Sequence, residues 1–156
     1  MHTTPAPALQ PLPVVLAQVL AVLQDADCGV ADPQPGQFTQ PDGLMGIDIV
    51  GQHEDAGGTV WQVAVEVDGP AHVVRHLSAG RDAGGVNVSY RLDGSTQWRN
   101  AMLRHYGYAL VMVSWRAWET CSCRAERVAL LQRLVGRALL AAGAQPQGVL
   151  AAAAGE

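Results

Sequence analysis

Three carboxylates stand where a strand-forming stretch has little use for them. Asp48 interrupts the apolar run Leu44–Val50, and Glu66 and Asp68 close the valine-rich run that begins at Thr59. Side chains alternate along a strand with a period of two, so Glu66 and Asp68 share one face. If the two runs pair as a hairpin, Asp48 comes up beside them. Like charges gathered on a strand end repel one another, and a divalent cation, Mg²⁺ or Mn²⁺, offsets that cost most simply. Asp48, Glu66 and Asp68 are therefore the candidate metal ligands and catalytic carboxylates. Gly69-Pro70 turns the chain directly afterwards and leaves His72 near the same edge as a candidate proton shuttle. Each residue also has a plainer role. Asp68 before Gly-Pro is a common turn former, and His72 suits a hydrogen-bonded structural histidine. Glu66 has no turn role, and a buried carboxylate needs an arginine, a backbone amide or a metal.

The elements that must position these residues are legible from periodicity. Leu16, Val19, Leu20 and Leu23 make the apolar stripe of a helix over Leu12–Gln24, with Pro13 in its first turn. A Pro-, Gly- and Gln-rich connection follows over residues 31–43. Residues 44–50 read as a strand with Ile47 and Ile49 on one face, residues 51–58 as a polar turn, and residues 59–67 as a central strand buried on both faces. Val86–Leu92 reads as an edge strand. Ser95 is placed to cap a helix over residues 96–106 that buries Trp98, Met102 and Leu103 and stops at Gly107. Residues 108–114 form a further strand, and residues 124–142 a long helix with Val128, Leu131, Val135 and Leu139 on one face, stopped at Gly143. The order α-β-β-(β)-α-β-α implies an α/β domain with a mixed sheet flanked by helices in three layers. Residues 1–13 read as a flexible arm, 14–43 as a helix and linker, 44–142 as the domain and 143–156 as a disordered tail.

At 156 residues, 49% hydrophobic and 15% charged, the chain has the size and composition of one domain with its own core. Its net charge of −4 hides a polarity: residues 1–74 hold nine of the 14 acids and no Lys or Arg, whereas residues 75–156 hold all ten arginines and five acids. Guanidinium groups match phosphate bidentately, so the second half suits a phosphate backbone, although arginines also coat the solvent faces of helices. Cys28, Cys121 and Cys123 are odd in number and have no ligand-like Cys or His spacing, which suits structural or incidental thiols in a reducing compartment. No apolar run approaches the ~18 residues of a membrane span, so no membrane partner is expected. The start has neither a charged, apolar signal sequence nor the Arg- and Ser-rich character of a transit peptide.

The run Val63-Ala64-Val65-Glu66-Val67-Asp68-Gly69-Pro70-Ala71-His72 resembles the opening signature of the RAP domain, an RNA-binding domain. The resemblance continues through Gly94-Ser95-Thr96, Arg99, Leu103, Gly107-Tyr108, Val111, Val113, Trp115 and Trp118, with Ile47-Asp48-Ile49 upstream. It spans roughly Leu44 to Leu140. It implies a restriction-endonuclease-like fold, similar to PD-(D/E)XK nucleases, with the Glu-x-Asp-Gly-x-x-His run close in motif to very-short-patch-repair endonucleases. On that resemblance Asp48 and Glu66 match the metal-binding carboxylates, while Asp68 stands where the nuclease motif has a lysine. It further implies RNA processing or stability in a mitochondrion or chloroplast. The sequence departs from the family in having no lysine at all, in a long segment from Val73 to Asp93, and in having no helical repeats ahead of the domain.

Three readings of function follow. In the first, the domain binds single-stranded or organellar RNA: Arg75, Arg99 and Arg104 hold phosphates, and Trp98, Tyr108, Trp115 or Trp118 stack on bases or else fill the core. In the second, it is a metal-dependent endoribonuclease using Asp48, Glu66 and Asp68 with His72, although arginine is a poor proton acceptor in place of the missing lysine. In the third, it docks protein partners without touching RNA, and insensitivity to salt would mark that mode.

Overall fold

The computed structural model describes residues 12–39, 43–70, 73–79 and 86–144, and of residues 12–13, 73–79, 86–88 and 90 it describes the backbone only. The chain runs α1 (Leu12–Asp25), β1 (Ala31–Phe38), β2 (Gly46–Glu54), β3 (Val60–Asp68), β4 (Val73–Ala79), β5 (Val86–Leu92), α2 (Gly94–His105), β6 (Ala109–Ser114), α3 (Trp115–Thr120) and α4 (Arg124–Ala142). Four strands form a mixed sheet in the order β1-β2-β3-β6, antiparallel except for the parallel pair β3-β6. The hairpin expected between the two acidic runs is present, and β3 is an inner strand.

Period-two alternation sends Val63, Val65 and Val67 to one side of β3, where they meet Val111 and Val113 of β6 and a layer built from α1, α3 and α4. Val15, Val19 and Leu23 of α1, Leu131, Val135 and Leu139 of α4, and Trp118 of α3 are all buried there. Burying each of these side chains contributes about 1.5–3 kcal/mol, which makes this side the main core. Ala64 lies on the opposite side with Leu110, Tyr108 and Leu103 of α2. Helices therefore cover both faces of the sheet.

Several sequence expectations need correction. The connection over residues 31–43 contains β1, which pairs with β2 from Ala31↔Gln52 to Phe38↔Gly46. Its Pro33, Pro35 and Gly36 hide it from propensity, but it lies at the sheet edge, where prolines are tolerated, and its register is irregular between Ala31 and Gln34. The polar turn over residues 51–58 is shorter, because β2 runs on to Glu54. Gly51 lies inside the strand because β1 starts so close to it: a Cβ there would sit 2.3 Å from Val30 Cγ1 and 2.9 Å from the Ala31 carbonyl oxygen. Asp55 then makes the turn, its Oδ1 accepting from the N–H groups of Gly57 and Thr59 (each 2.9 Å) and its Oδ2 from Trp61 Nε1 at 3.0 Å.

Val86–Leu92 is a strand, but it pairs with β4 in a separate two-stranded sheet and not at the edge of the main one. The cap of α2 is Asp93, whose Oδ1 accepts from Thr96 N and from Ser95 Oγ, both at 2.7 Å. Ser95, expected as the cap, is thus inside the first turn, displaced by a charged acceptor that holds two donors at once. Gly107 (φ +87°) and Gly143 (φ +95°) adopt the left-handed conformation beyond α2 and α4, as expected of helix stops. The 143–156 tail lies outside the described residues beyond Ala144, and the 1–13 arm before Leu12.

Gly51→Ala is expected to lower stability by about 1–3 kcal/mol, because the new methyl meets Val30 and the β1 backbone. Urea denaturation checks this, with the midpoint falling at unchanged slope.

Candidate nucleic-acid interface

Glu66 lies beyond Ala64 on the α2 side of β3, opposite Met112 of β6. Its side chain is fully buried, 0% exposed. A charge in that position requires a counter-charge, and α2 supplies one: Arg99 reaches down and forms an ion pair with the Glu66 carboxylate. The other partner is the backbone of β2, where the Asp48 N–H donates to Glu66 Oε1 at 3.4 Å. Asp48 returns the contact, its Oδ2 accepting from the Val67 N–H at 2.8 Å.

This exchange explains an irregularity in β2. Regular pairing between β2 and β3 runs from Glu54↔Val60 to Ile49↔Val65 and goes no further. At the next position a side-chain carboxylate takes the Val67 N–H in place of a strand carbonyl. Ile49 then belongs to the main core and Ile47 to the α2-side cluster, so the two do not share a face as simple alternation requires.

The structure thus brings Asp48 and Glu66 together, with Asp68 two residues on and 5% exposed. His72 lies outside the described residues, as does the Arg75 side chain. Arg99 is 29% exposed and spends its charge on Glu66. In this arrangement it serves as the counter-ion of a buried acid. Tyr108 (5% exposed), Trp115 (9%) and Trp118 (0%) are buried. Trp118 Nε1 donates to Gln18 Oε1 at 2.9 Å, and the Arg127 guanidinium lies 5.1 Å from its ring centre.

Trp98 was expected in the core and is instead 61% exposed. The α2 residues that do face the sheet are Thr96, Asn100 and Leu103, so Trp98 projects outward. It borders a hollow of about 330 Å³ with Met45, Gly46, Ser95, Thr96 and Arg99. Phe38, also exposed, lies near Gly46, one of the residues that line the hollow. Farther along α2, Ala101, Arg104 and His105 are exposed as well. Trp98, Ala101 and His105 lie within about 60° of one another around the helix, a track of about 10 Å, with Arg104 on its flank.

Asn100 and Phe38 were not singled out from sequence. Asn100 is 3% exposed, donates to Met112 Sδ at 3.4 Å, and leaves its Oδ1 without a hydrogen-bond partner among the described residues. An asparagine between Arg99 and Leu103 in a helix is a weak cue. Phe38 follows a Pro- and Gly-rich stretch, so nothing marked it as part of a strand.

A divalent cation at the acidic pair meets an occupied position. Glu66 is already ion-paired with Arg99 and accepts from the Asp48 N–H, and Asp48 accepts from the Val67 N–H. Among the described residues, no three His, Cys, Asp or Glu side chains are grouped as a metal site. In this arrangement the guanidinium stands where a cation would, so the residues do not fit Mg²⁺ or Mn²⁺ unless Arg99 withdraws. Comparison with family models, curated proteins and solved structures gave no match.

Arg99→Ala strands a buried carboxylate and is expected to cost about 3–5 kcal/mol. Combining Arg99→Met with Glu66→Leu restores most of that stability, because an apolar pair needs no counter-charge. Thermal and urea unfolding of the two variants provide the measurement.

Proposed function

We propose that this domain binds single-stranded RNA along the outer side of α2, with Trp98 as the platform on which a base stacks. The observation that carries the reading is the exposure of Trp98 beside a hollow, while Trp115 and Trp118 are buried. Base stacking on an aromatic side chain is worth about 1–3 kcal/mol and tolerates any base. His105 lies at the far end of the same track with Arg104 on its flank, and both suit the phosphates that follow. RNA is preferred to DNA on the likeness of the Val63–His72 run to the RAP domain, which also supports a role in organellar RNA processing or stability, in a mitochondrion or chloroplast. A nuclease-like scaffold accords with the α/β architecture, a mixed sheet with helices on both faces.

Trp98→Ala is expected to weaken binding of a labelled single-stranded oligoribonucleotide about tenfold without lowering stability, since the side chain is mostly exposed. Affinity falls steeply as salt rises if arginines hold phosphates. Unchanged affinity in the variant removes Trp98 from the site, and binding only to protein ligands, insensitive to salt, favours the protein-docking reading.

A second reading, metal-dependent cleavage of RNA, is supported by the contact between Asp48 and Glu66 at the end of the hairpin. It requires Arg99 to leave Glu66 before a cation enters. Incubating end-labelled RNA with Mn²⁺ beside a Glu66→Gln variant tests it. Products from the parent chain alone support cleavage at this pair, whereas intact RNA in both lanes leaves binding as the function.

A further inference from the structure

The largest described hollow lined by arginine lies away from the acidic pair, where β6 forms the open edge of the main sheet. Its volume is about 420 Å³, within the range of small-ligand sites. Leu110 and Met112 alternate along β6 and, with Tyr108 just before it, form one wall. The opposite wall is α4, where Leu134, Arg137, Ala138 and Ala141 recur at helical spacing. The space stays open for a local reason: α4 offers alanines toward the hollow, and Gly107 adds no side chain at its end. Trp61 closes the floor with an indole.

Two guanidinium groups border this apolar space, Arg104 from α2 and Arg137 from α4. Arg137 is exposed and makes no ion pair with any described carboxylate. The recorded contact of Arg104 is with the neutral Met112 Sδ, at 3.9 Å. Three other arginines have partners: Arg99 with Glu66, Arg124 with Asp25 at 3.8 Å, and Arg127 with the Trp118 ring. The pocket therefore carries two positive charges with no acidic partner among the described residues, above a floor that includes an aromatic ring.

We propose that this pocket is a nucleotide subsite, taking a planar base against Trp61 and its phosphate on Arg104 and Arg137. Paired guanidinium groups select phosphate geometry, and the apolar floor selects a flat ring over a bare anion. The inference rests on and deepens the RNA-binding reading. Arg104 flanks the track that starts at Trp98, so a strand stacked on Trp98 would deliver its next nucleotide to the pocket.

The test is calorimetric titration of the full chain at low salt with adenosine 5′-monophosphate, adenosine and inorganic phosphate. The nucleotide is expected to bind at least tenfold more tightly than either fragment. Arg137→Ala, at an exposed helix position, weakens it about tenfold. Ala141→Phe, which fills the hollow from an exposed lining position, abolishes it. Nucleotide binding no tighter than phosphate, or indifference to Arg137→Ala, overturns the subsite, as does equal binding of octanoate, which would mark a site for amphipathic anions. If the subsite fails while Trp98→Ala still weakens oligoribonucleotide binding, the RNA reading stands alone. If the oligoribonucleotide fails to bind at all while the nucleotide titrates at Arg137, that reading falls and the pocket remains.

Discussion

One buried negative charge organises the middle of this molecule. Glu66 lies within an inner strand with no access to water, and in a low-dielectric interior its carboxylate must be matched. Arg99 matches it from above and the Asp48 N–H from the side. This fixes the seating of α2 on the sheet, since the helix must present Arg99 to the strand. With Arg99 inward and Leu103 buried one turn on, Trp98 has only the outward direction left. The exposed aromatic track is in that sense a consequence of the ion pair.

The same pair reshapes the hairpin. Asp48 replaces a backbone acceptor with its own carboxylate, and the regular β2-β3 ladder ends there. The two strands stay tied across the break by hydrogen bonds from side chain to backbone in both directions. Buried polar groups held this way tend to fix one arrangement, and here they divide Ile47 and Ile49 between two clusters on opposite sides of the sheet. The acidic pair that resembles a nuclease centre in sequence is, in this geometry, also what ties β2 to β3 and seats Arg99.

The distribution of arginine acquires meaning only in three dimensions. The second half of the chain carries all ten, and their number alone suits phosphate binding. Arg99 is spent on a buried acid, and Arg127 and Arg116 lie over the rings of Trp118 and Trp115 at 5.1 and 5.2 Å. Arg104 and Arg137, distant in sequence, are brought to one hollow by the packing of α4 beside β6. A net charge of −4 conceals that local concentration.

From sequence alone, the helices α1, α2 and α4, the strands β2, β3 and β6 and the left-handed helix stops Gly107 and Gly143 were legible. Their signals are local: a repeat of 3.6 or two residues, or a backbone conformation that only glycine takes easily. The need of Glu66 for a partner was legible too, because a carboxylate in a valine-rich strand is costly wherever the strand goes. What the sequence left open was which partner would meet it, since an arginine 33 positions away and a metal satisfy the same charge. Strand β1 was hidden because a proline-rich edge strand is held by its neighbour and not by its own propensity. Trp98 was misplaced because helical spacing defines stripes without saying which one faces the sheet. Only the packing of α2 over Glu66 decided that, and it turned a residue expected in the core into the exposed platform on which the proposed function rests.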